Sequence, residues 1–392
     1  MERLSCCPTN TKSTLCASGF HTVRLTNILE LIDNNRDQGC QKKGVMGSKV
    51  REKGERVRAF ILDRISSREA DVVAATVSKF DITRQAVNKH VQRLKEMGTI
   101  KMDGSARSPI YSLCDMHTES FSYVLTSQLA EDVVWTRSIR PAIEPLPDNV
   151  LNIWHYAFTE MFNNAIDHSG GRTISVDIRK TAVDTEIAIH DDGIGIFRKI
   201  QQELDLLDER LAIFELSKGK LTTDPANHTG QGIFFTSRML DQFSIMAGGL
   251  YFDHDRSDDR DWLMERSRPD SGTHVWMTLK NHTARTARKV FDEFSSGDDY
   301  AFDKTIVPLK LAKFGADELV SRSQAKRVLA RVHLFKTVVF DFKDVEHLGQ
   351  AFADQIFRVY ANEHPEIQLI PIHMRKTVKD MVDRARSLNN PS

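Results

Sequence analysis

Three short runs of this chain hold residue types that could do chemistry. Residues 160–168 read EMFNNAIDH, 191–195 read DDGIG, and 229–233 read TGQGI. Glu160 and Asn164 are four apart, so on a helix they share one face, one turn from each other. A carboxylate and an amide oxygen stacked in this way can hold a hydrated Mg²⁺, an ion that prefers oxygen ligands and keeps several waters. Asp191 closes an apolar strand and enters a turn with two glycines. There it could accept a hydrogen bond from the amino group of a ligand, while Gly193 and Gly195 let backbone come close. Gly230 and Gly232 stand just before a helix expected over 233–240, and backbone N–H groups at a helix start favour phosphate.

In this order and spacing the runs resemble the N, G1 and G2 boxes of the superfamily that contains gyrase, the Hsp-type chaperone ATPases, histidine kinases and MutL. Ser271, Gly272 and Thr273, ahead of the apolar stretch 274–279, resemble that superfamily's last motif. The resemblance covers 148–281 and implies a Bergerat-fold α/β sandwich that binds ATP with Mg²⁺. It further implies that Asn164 meets the metal, that Asp191 meets the adenine amino group, and that Glu160 is the candidate general base. Glu160 could equally do no more than order Mg²⁺. Asp167 stands where many histidine kinases carry Lys or Arg. His168 and Ser169 follow it, closer to the anti-sigma serine kinases; a packed or capping role is the expectation for His168.

These motifs need elements to position them. Residues 172–179 and 185–190 alternate with a period of two, as half-buried strands do, and are expected to pair antiparallel. The charged stretch 196–229 corresponds to the ATP lid of the family. Lys218, Gly219, Lys220, Thr222 and Thr223 lie late in it and are read either as phosphate contacts or as a solvated loop. A phosphoacceptor-histidine hairpin is not expected upstream, because 114–147 is short and holds Pro141, Pro145 and Pro147. That stretch reads as a linker. His155 reads as core.

The balanced charge, 54 basic against 54 acidic side chains, hides an asymmetry. Residues 48–113 carry 14 basic and 8 acidic side chains, net +6, whereas 151–280 carry 14 and 21, net −7. A basic unit joined to an acidic one suggests a different partner for each. In the basic unit, Val57, Phe60, Ile61 and Ile65 fall on one face of a helix expected over 50–65, followed by a second helix near 70–80. Thr83 is the expected N-cap of a third helix, 84–97, ended by Gly98. Two short strands, 99–102 and 110–113, follow. The segment resembles a winged helix-turn-helix, a double-stranded-DNA reader. The third helix presents Arg84, Gln85, Asn88 and Lys89 opposite its buried face, and Lys101 and Arg107 of the wing suit phosphates. A winged helix used for protein contact is the alternative.

Residues 285–388 read as a third unit, with strands at 338–342 and 367–372 and helices at 349–360 and 378–388, an α/β layer. The stretch 340–354 resembles a STAS-like domain of unknown function. Anti-sigma antagonists carry a phosphorylated Ser in a hydroxyl-bearing turn there, but 348–351 is Leu-Gly-Gln-Ala, with no hydroxyl. A docking surface for a protein partner is expected instead.

Four of the five cysteines lie before residue 41 at spacings that fit no zinc pattern, and no apolar run reaches 18 residues. The expectation is a cytoplasmic α+β multidomain protein off the membrane, with a possible homodimer. Residues 1–47 are read as a tail or an over-long start, with Met46 favoured as the true first residue. The functional expectation is a DNA-binding regulator controlled by ATP binding or hydrolysis. A serine/threonine kinase of the anti-sigma type, or a histidine-kinase-like signalling protein, is the alternative.

Overall fold

The computed structural model describes residues 44–67, 69, 71–105, 108–221, 230–256, 260–295, 301–313 and 318–388. Of the stretch 1–47 read as a tail or over-long start, residues 1–43 lie outside the described residues, whereas 44–47 belong to the first helix.

Helices α1 (Gly44–Ser66), α2 (Val72–Phe80) and α3 (Arg84–Glu96) precede a hairpin of β1 (Ile100–Ser105) and β2 (Ser108–Leu113). Val57, Ile61 and Ile65 of α1 meet Val87, Val91 and Leu94 of α3 in one small apolar core. Phe60 is only half-buried and packs edge-on against Phe80, with ring centroids 5.5 Å apart. The Thr83 hydroxyl caps α3 by accepting from Ala86 N–H at 3.2 Å. Gly98, at φ 67°, ends the turn that follows.

The next unit is built on a five-stranded antiparallel sheet. Its strands are β3 (His117–Val124), β4 (Thr173–Lys180), β5 (Asp184–Asp191), β6 (Gln242–Asp255) and β7 (Arg260–Lys280), in the order β3-β4-β5-β7-β6. Strict alternation of buried and half-buried positions along β5 gives the sheet one dry face. Helix α4 (Asp148–His168) lies on that face and sinks Trp154, Phe158 and Phe162 into the core with Ile174, Ile187 and Met277. Each such side chain contributes about 1.5–3 kcal/mol relative to exposure.

The stretch read as a linker is instead part of this unit. β3 pairs with β4 along its whole length, and 131–143 is helical, with Trp135 5.9 Å from Phe158 between ring centroids. As an edge strand β3 is mostly exposed, so its apolar alternation is faint: only Phe121 and Tyr123 pack inward. Pro141 does not break the helical segment. A widened turn over Trp135–Ile139, closed by Arg140 N–H on Trp135 O, lets a residue without an N–H follow.

Past β5 come α5 (Ile196–Glu203), α6 (Glu209–Lys218) and α7 (Gly232–Met239), and after β7 comes α8 (Ala287–Phe294). The last unit has three parallel strands, β8 (Lys304–Pro308), β9 (Thr337–Asp341) and β10 (Gln368–Ile372), in the order β10-β9-β8. Helix α9 (Arg322–Leu329), opened by a Ser321/Gln324 capping box, a helix over 350–363 and α11 (Lys376–Ser387) accompany them; α10 denotes 350–363. β8 and α9 were not anticipated. Parallel pairing needs helical crossovers, which α9 and α10 supply. Phe302 joins this unit to the preceding one, with ring centroids 4.8 Å from both Phe234 and Phe235 and 5.3 Å from Phe335. Among the described residues no helix is long and apolar enough to cross a membrane.

Candidate functional site

α4, the end of β5, the middle of β7, α5 and the start of α7 enclose a cavity of about 270 Å³. Glu160, Asn164, Asp191, Gly230, Gly232 and Thr273 all line it. Residues from four motifs far apart in sequence thus reach one space, because α4 lies across the sheet where β5 ends, its last residue Asp191 opposite Thr273 within β7.

Asp191 is 4 % exposed. Its Oδ1 accepts from Gly193 N–H at 2.9 Å and Thr273 N–H at 3.2 Å. Burial raises its pKa, and these hydrogen bonds oppose the rise. A carboxylate with one oxygen held by two amides retains acceptor capacity for a donor in the cavity. Its neighbour Asp192 faces away. It accepts from Arg172 and Thr173 N–H and from the Thr173 hydroxyl, at 2.6–3.0 Å, which hold its carboxyl down at about 2. One of the two adjacent carboxylates serves the turn and the other serves the cavity.

Gly193 and Gly195 shape this wall rather than line it. A Cβ on Gly193 would overlap the carbonyl oxygen of Ser169, at the end of α4, and Ser169 O also accepts from Ile194 N–H at 3.0 Å. Gly195 turns the chain at φ 87° so that Ile196 N–H can reach the Thr273 hydroxyl at 3.1 Å. At the opposite wall, the Glu160 carboxylate occupies the space a Cβ on Gly232 would need. That places an acid against the N-terminus of α7, where the helix dipole favours negative charge. Burial, and secondarily Glu160, pushes the Tyr156 hydroxyl far above its ordinary pKa, so Tyr156 stays neutral beside Glu160.

The amide nitrogen of Asn164 is buried with no partner among the described residues, while its residue lines the cavity. A buried amide group without a partner is costly, and a bound polar ligand would relieve it. Glu160 and Asn164 offer one carboxylate and one amide oxygen. No group of three His, Cys, Asp or Glu side chains suited to a metal occurs among the described residues. This donor set fits Mg²⁺, which takes one or two carboxylates and completes its shell with water and phosphate. It would not suit a metal that needs a full protein cage.

Lys218 is not brought to the cavity. Its side chain is fully buried on the other side of α6, bonded to Glu215 Oε1 at 2.6 Å and Ala330 O at 2.9 Å. Neither a phosphate contact nor a solvated loop describes it: α6 continues through Lys218, so its side chain follows the helix face packed on the C-terminal unit. Thr222, Thr223 and Thr229 lie outside the described residues. Lys199, passed over in the sequence, does line the cavity, its Nζ 3.8 Å from Glu203. The spacing Ile196, Lys199, Ile200 puts it on the inward face of α5 and could have revealed it. His168 lines the cavity too.

In the basic unit Arg84, Gln85, Asn88 and Lys89 are all exposed on α3, and Lys101 is exposed on β1. Arg107 lies outside the described residues.

Residues 151–283 match the family described as histidine kinase-, DNA gyrase B-, and HSP90-like ATPase. Residues 324–379 match a STAS-like domain of unknown function. No curated protein matches the chain. A domain of the first kind is an ATP-binding domain, and the cavity lies wholly within the stretch that matches it.

Proposed function

We propose that the chain is a regulator whose hold on double-stranded DNA is set by ATP. The observation that carries the nucleotide half is the convergence of Glu160, Asn164, Asp191 and Gly232 on one cavity inside the ATPase-type domain. Asp191 takes the adenine amino group, and Asn164 and Glu160 take Mg²⁺. The start of α7, with Lys199, faces the phosphates. When bound, Mg²⁺ neutralises phosphate charge. The chain's own residues orient the nucleotide, and Glu160 is placed to accept a proton from water or from a hydroxyl.

Three helices and a hairpin with an exposed basic helix support the DNA half, read as a winged helix with α3 as the element entering the major groove. Residues 48–113 form the DNA unit and 285–388 a docking unit. The test is retardation of genomic fragments by the full chain with and without Mg-ATP, over a range of salt. The reading expects binding that weakens steeply with salt and differs between nucleotide states. No retardation at low salt in either state removes the DNA half.

A second reading, phosphoryl transfer to a partner's hydroxyl, is favoured by Glu160 lining the cavity beside the first turn of α7. Incubation with radiolabelled ATP and cell extract separates the two. Free phosphate alone points to a switch run by hydrolysis, and label on a partner's Ser or Thr points to a kinase.

A further inference from the structure

The end of α6 belongs to two sites at once. Leu216 and Leu221 line the nucleotide cavity, and Leu221 N–H donates to Gly230 O at 3.0 Å, tying this wall to the start of α7. The same stretch is fastened from outside by the C-terminal unit. Arg331 places Nη1 2.9 Å from Glu215 Oε2, and its Nη2 donates to the carbonyls of Gly219, at 3.0 Å, and Lys220. Lys218 answers in the other direction, with Nζ on Glu215 and on Ala330 O. The Thr305 hydroxyl donates to Lys218 O at 2.6 Å, and Lys220 Nζ donates to Leu334 O at 2.7 Å. Gly219, at φ 79°, lies so close to Phe302 that a Cβ would press into its ring.

The side chains of Lys218 and Glu215 are 0 % and 6 % exposed. Burying such a pair is a poor route to stability, since apolar replacements often do as well. What the arrangement does supply is direction. A planar guanidinium that bridges one carboxylate and two successive carbonyls allows α6 only one position. Arg331 itself stands at φ 62°, a left-handed conformation uncommon for a residue with a side chain.

We infer that Arg331 is a positioning residue of the nucleotide site, supplied by the C-terminal unit: it fixes the last turn of α6 and residues 219–221, and through Leu216 and Leu221 it sets the shape of the cavity wall. The inference rests on the cavity being the nucleotide site. Its consequence is reciprocal. A partner that draws the C-terminal unit off α6 changes nucleotide affinity, and nucleotide changes the affinity of that unit for the partner by the same factor.

The test uses the full chain. Mg-ATP affinity is measured by calorimetry for the parent, Arg331→Ala and Arg331→Lys, with thermal unfolding recorded for each. Arg331→Ala is expected to weaken affinity about tenfold, within the usual range of coupling between sites. Arg331→Lys, which keeps the charge and loses the fork, is expected to recover part of it. In the parent, saturating Mg-ATP should slow amide exchange in α9 and at Val332–Leu334, residues that touch no part of the cavity. Parent-like affinity in a folded Arg331→Ala overturns the inference, and so does unchanged exchange across 322–334, which needs no variant to fold. A parent that binds no adenine nucleotide overturns the nucleotide reading itself, a distinct result.

Discussion

Asp191 and Thr273 face each other across β5 and β7, and the Thr273 N–H donates to Asp191 Oδ1 at 3.2 Å while the Thr273 hydroxyl accepts from Ile196 N–H. Two residues 82 apart in sequence, on neighbouring strands, thereby fix one carboxylate and the entry of α5 together. Strand register places Asp191 here, and the glycine turn after it leaves room for a ligand.

Asp191→Asn tests that placement. The amide oxygen can still accept from Gly193 and Thr273 N–H, so the turn should survive. The amide nitrogen then meets the ligand with a donor where an acceptor is needed. Loss of one charge-assisted hydrogen bond is about 1.5–3 kcal/mol, so adenine-nucleotide affinity should fall roughly 10- to 150-fold by calorimetry. Burial raises the Asp191 pKa, so the folded chain holds this proton more tightly than the unfolded chain. The group's contribution to stability therefore falls as pH rises from its ordinary carboxylate value through the raised one. At neutral pH the Asn variant should accordingly melt no lower than the parent. A variant that binds like the parent, or that melts well below it, contradicts this account.

Asn164→Ala and Glu160→Ala separate metal from proton transfer. Asn164→Ala should remove the Mg²⁺ dependence of nucleotide binding. Glu160→Ala should keep most of the affinity and lower turnover by about 10²–10⁴-fold, the range for a positioned base. Equal turnover by Glu160→Ala and the parent in a phosphate-release assay would leave Glu160 with the metal alone.

How much of this was legible in the sequence follows from where the signal lies. Asn164, Asp191 and the glycine pairs were readable because each is a type-specific requirement: an amide on a helix face, an acceptor at a strand end, a residue with no Cβ. Strands β4 and β5 were readable because one face is dry and the other wet, so alternation is strong. β3 was not, since an exposed edge strand writes little alternation, and prolines beyond it suggested a break that a widened helical turn absorbs. Lys218 was misplaced for another reason. A lysine among charged residues reads as solvated unless its buried partners are known, and two of them, Arg327 and Ala330, lie more than a hundred residues away. Lys199 was legible only in its spacing, on the same face of α5 as Ile196 and Ile200.

For the basic unit, Arg84→Ala, Asn88→Ala and Lys89→Ala are expected to act differently. All three side chains are exposed on α3, clear of the Val87, Val91 and Leu94 core, so the fold should be unaffected. Lys89→Ala should weaken binding to all duplexes alike and reduce the salt slope by about one, as loss of a phosphate contact does. Arg84→Ala and Asn88→Ala should each cost about 1–3 kcal/mol on a preferred site and less elsewhere. Titrations of selected and random duplexes at several salt concentrations decide this. Equal losses on every sequence for all three variants would mean that α3 reads no bases.

Two glycine substitutions that look alike should have different effects. Gly272 has φ 76°, and a Cβ there would run into the backbone oxygen of Asp191, which cannot swing aside. Gly272→Ala should therefore distort the register between Asp191 and Thr273 and lower stability, with backbone strain alone of order 1–3 kcal/mol. Gly232 stands in the first turn of α7, and a Cβ there overlaps the carboxylate of Glu160, which can swing aside, and lies 3.3 Å from Glu160 Cβ, a tight contact that needs only a small shift. Alanine is the better helix former by about 1 kcal/mol in a helix interior, and by less at an end. The two terms oppose each other, so Gly232→Ala should melt close to the parent temperature. Yet it must push Glu160 out of its place, so its turnover should fall toward that of Glu160→Ala, and adding Glu160→Ala on top should cost little more. Thermal unfolding and phosphate release on the two single variants and the double measure both effects. A stable Gly232→Ala with parent-like turnover would show that the position of Glu160 against α7 is not the one used in the reaction.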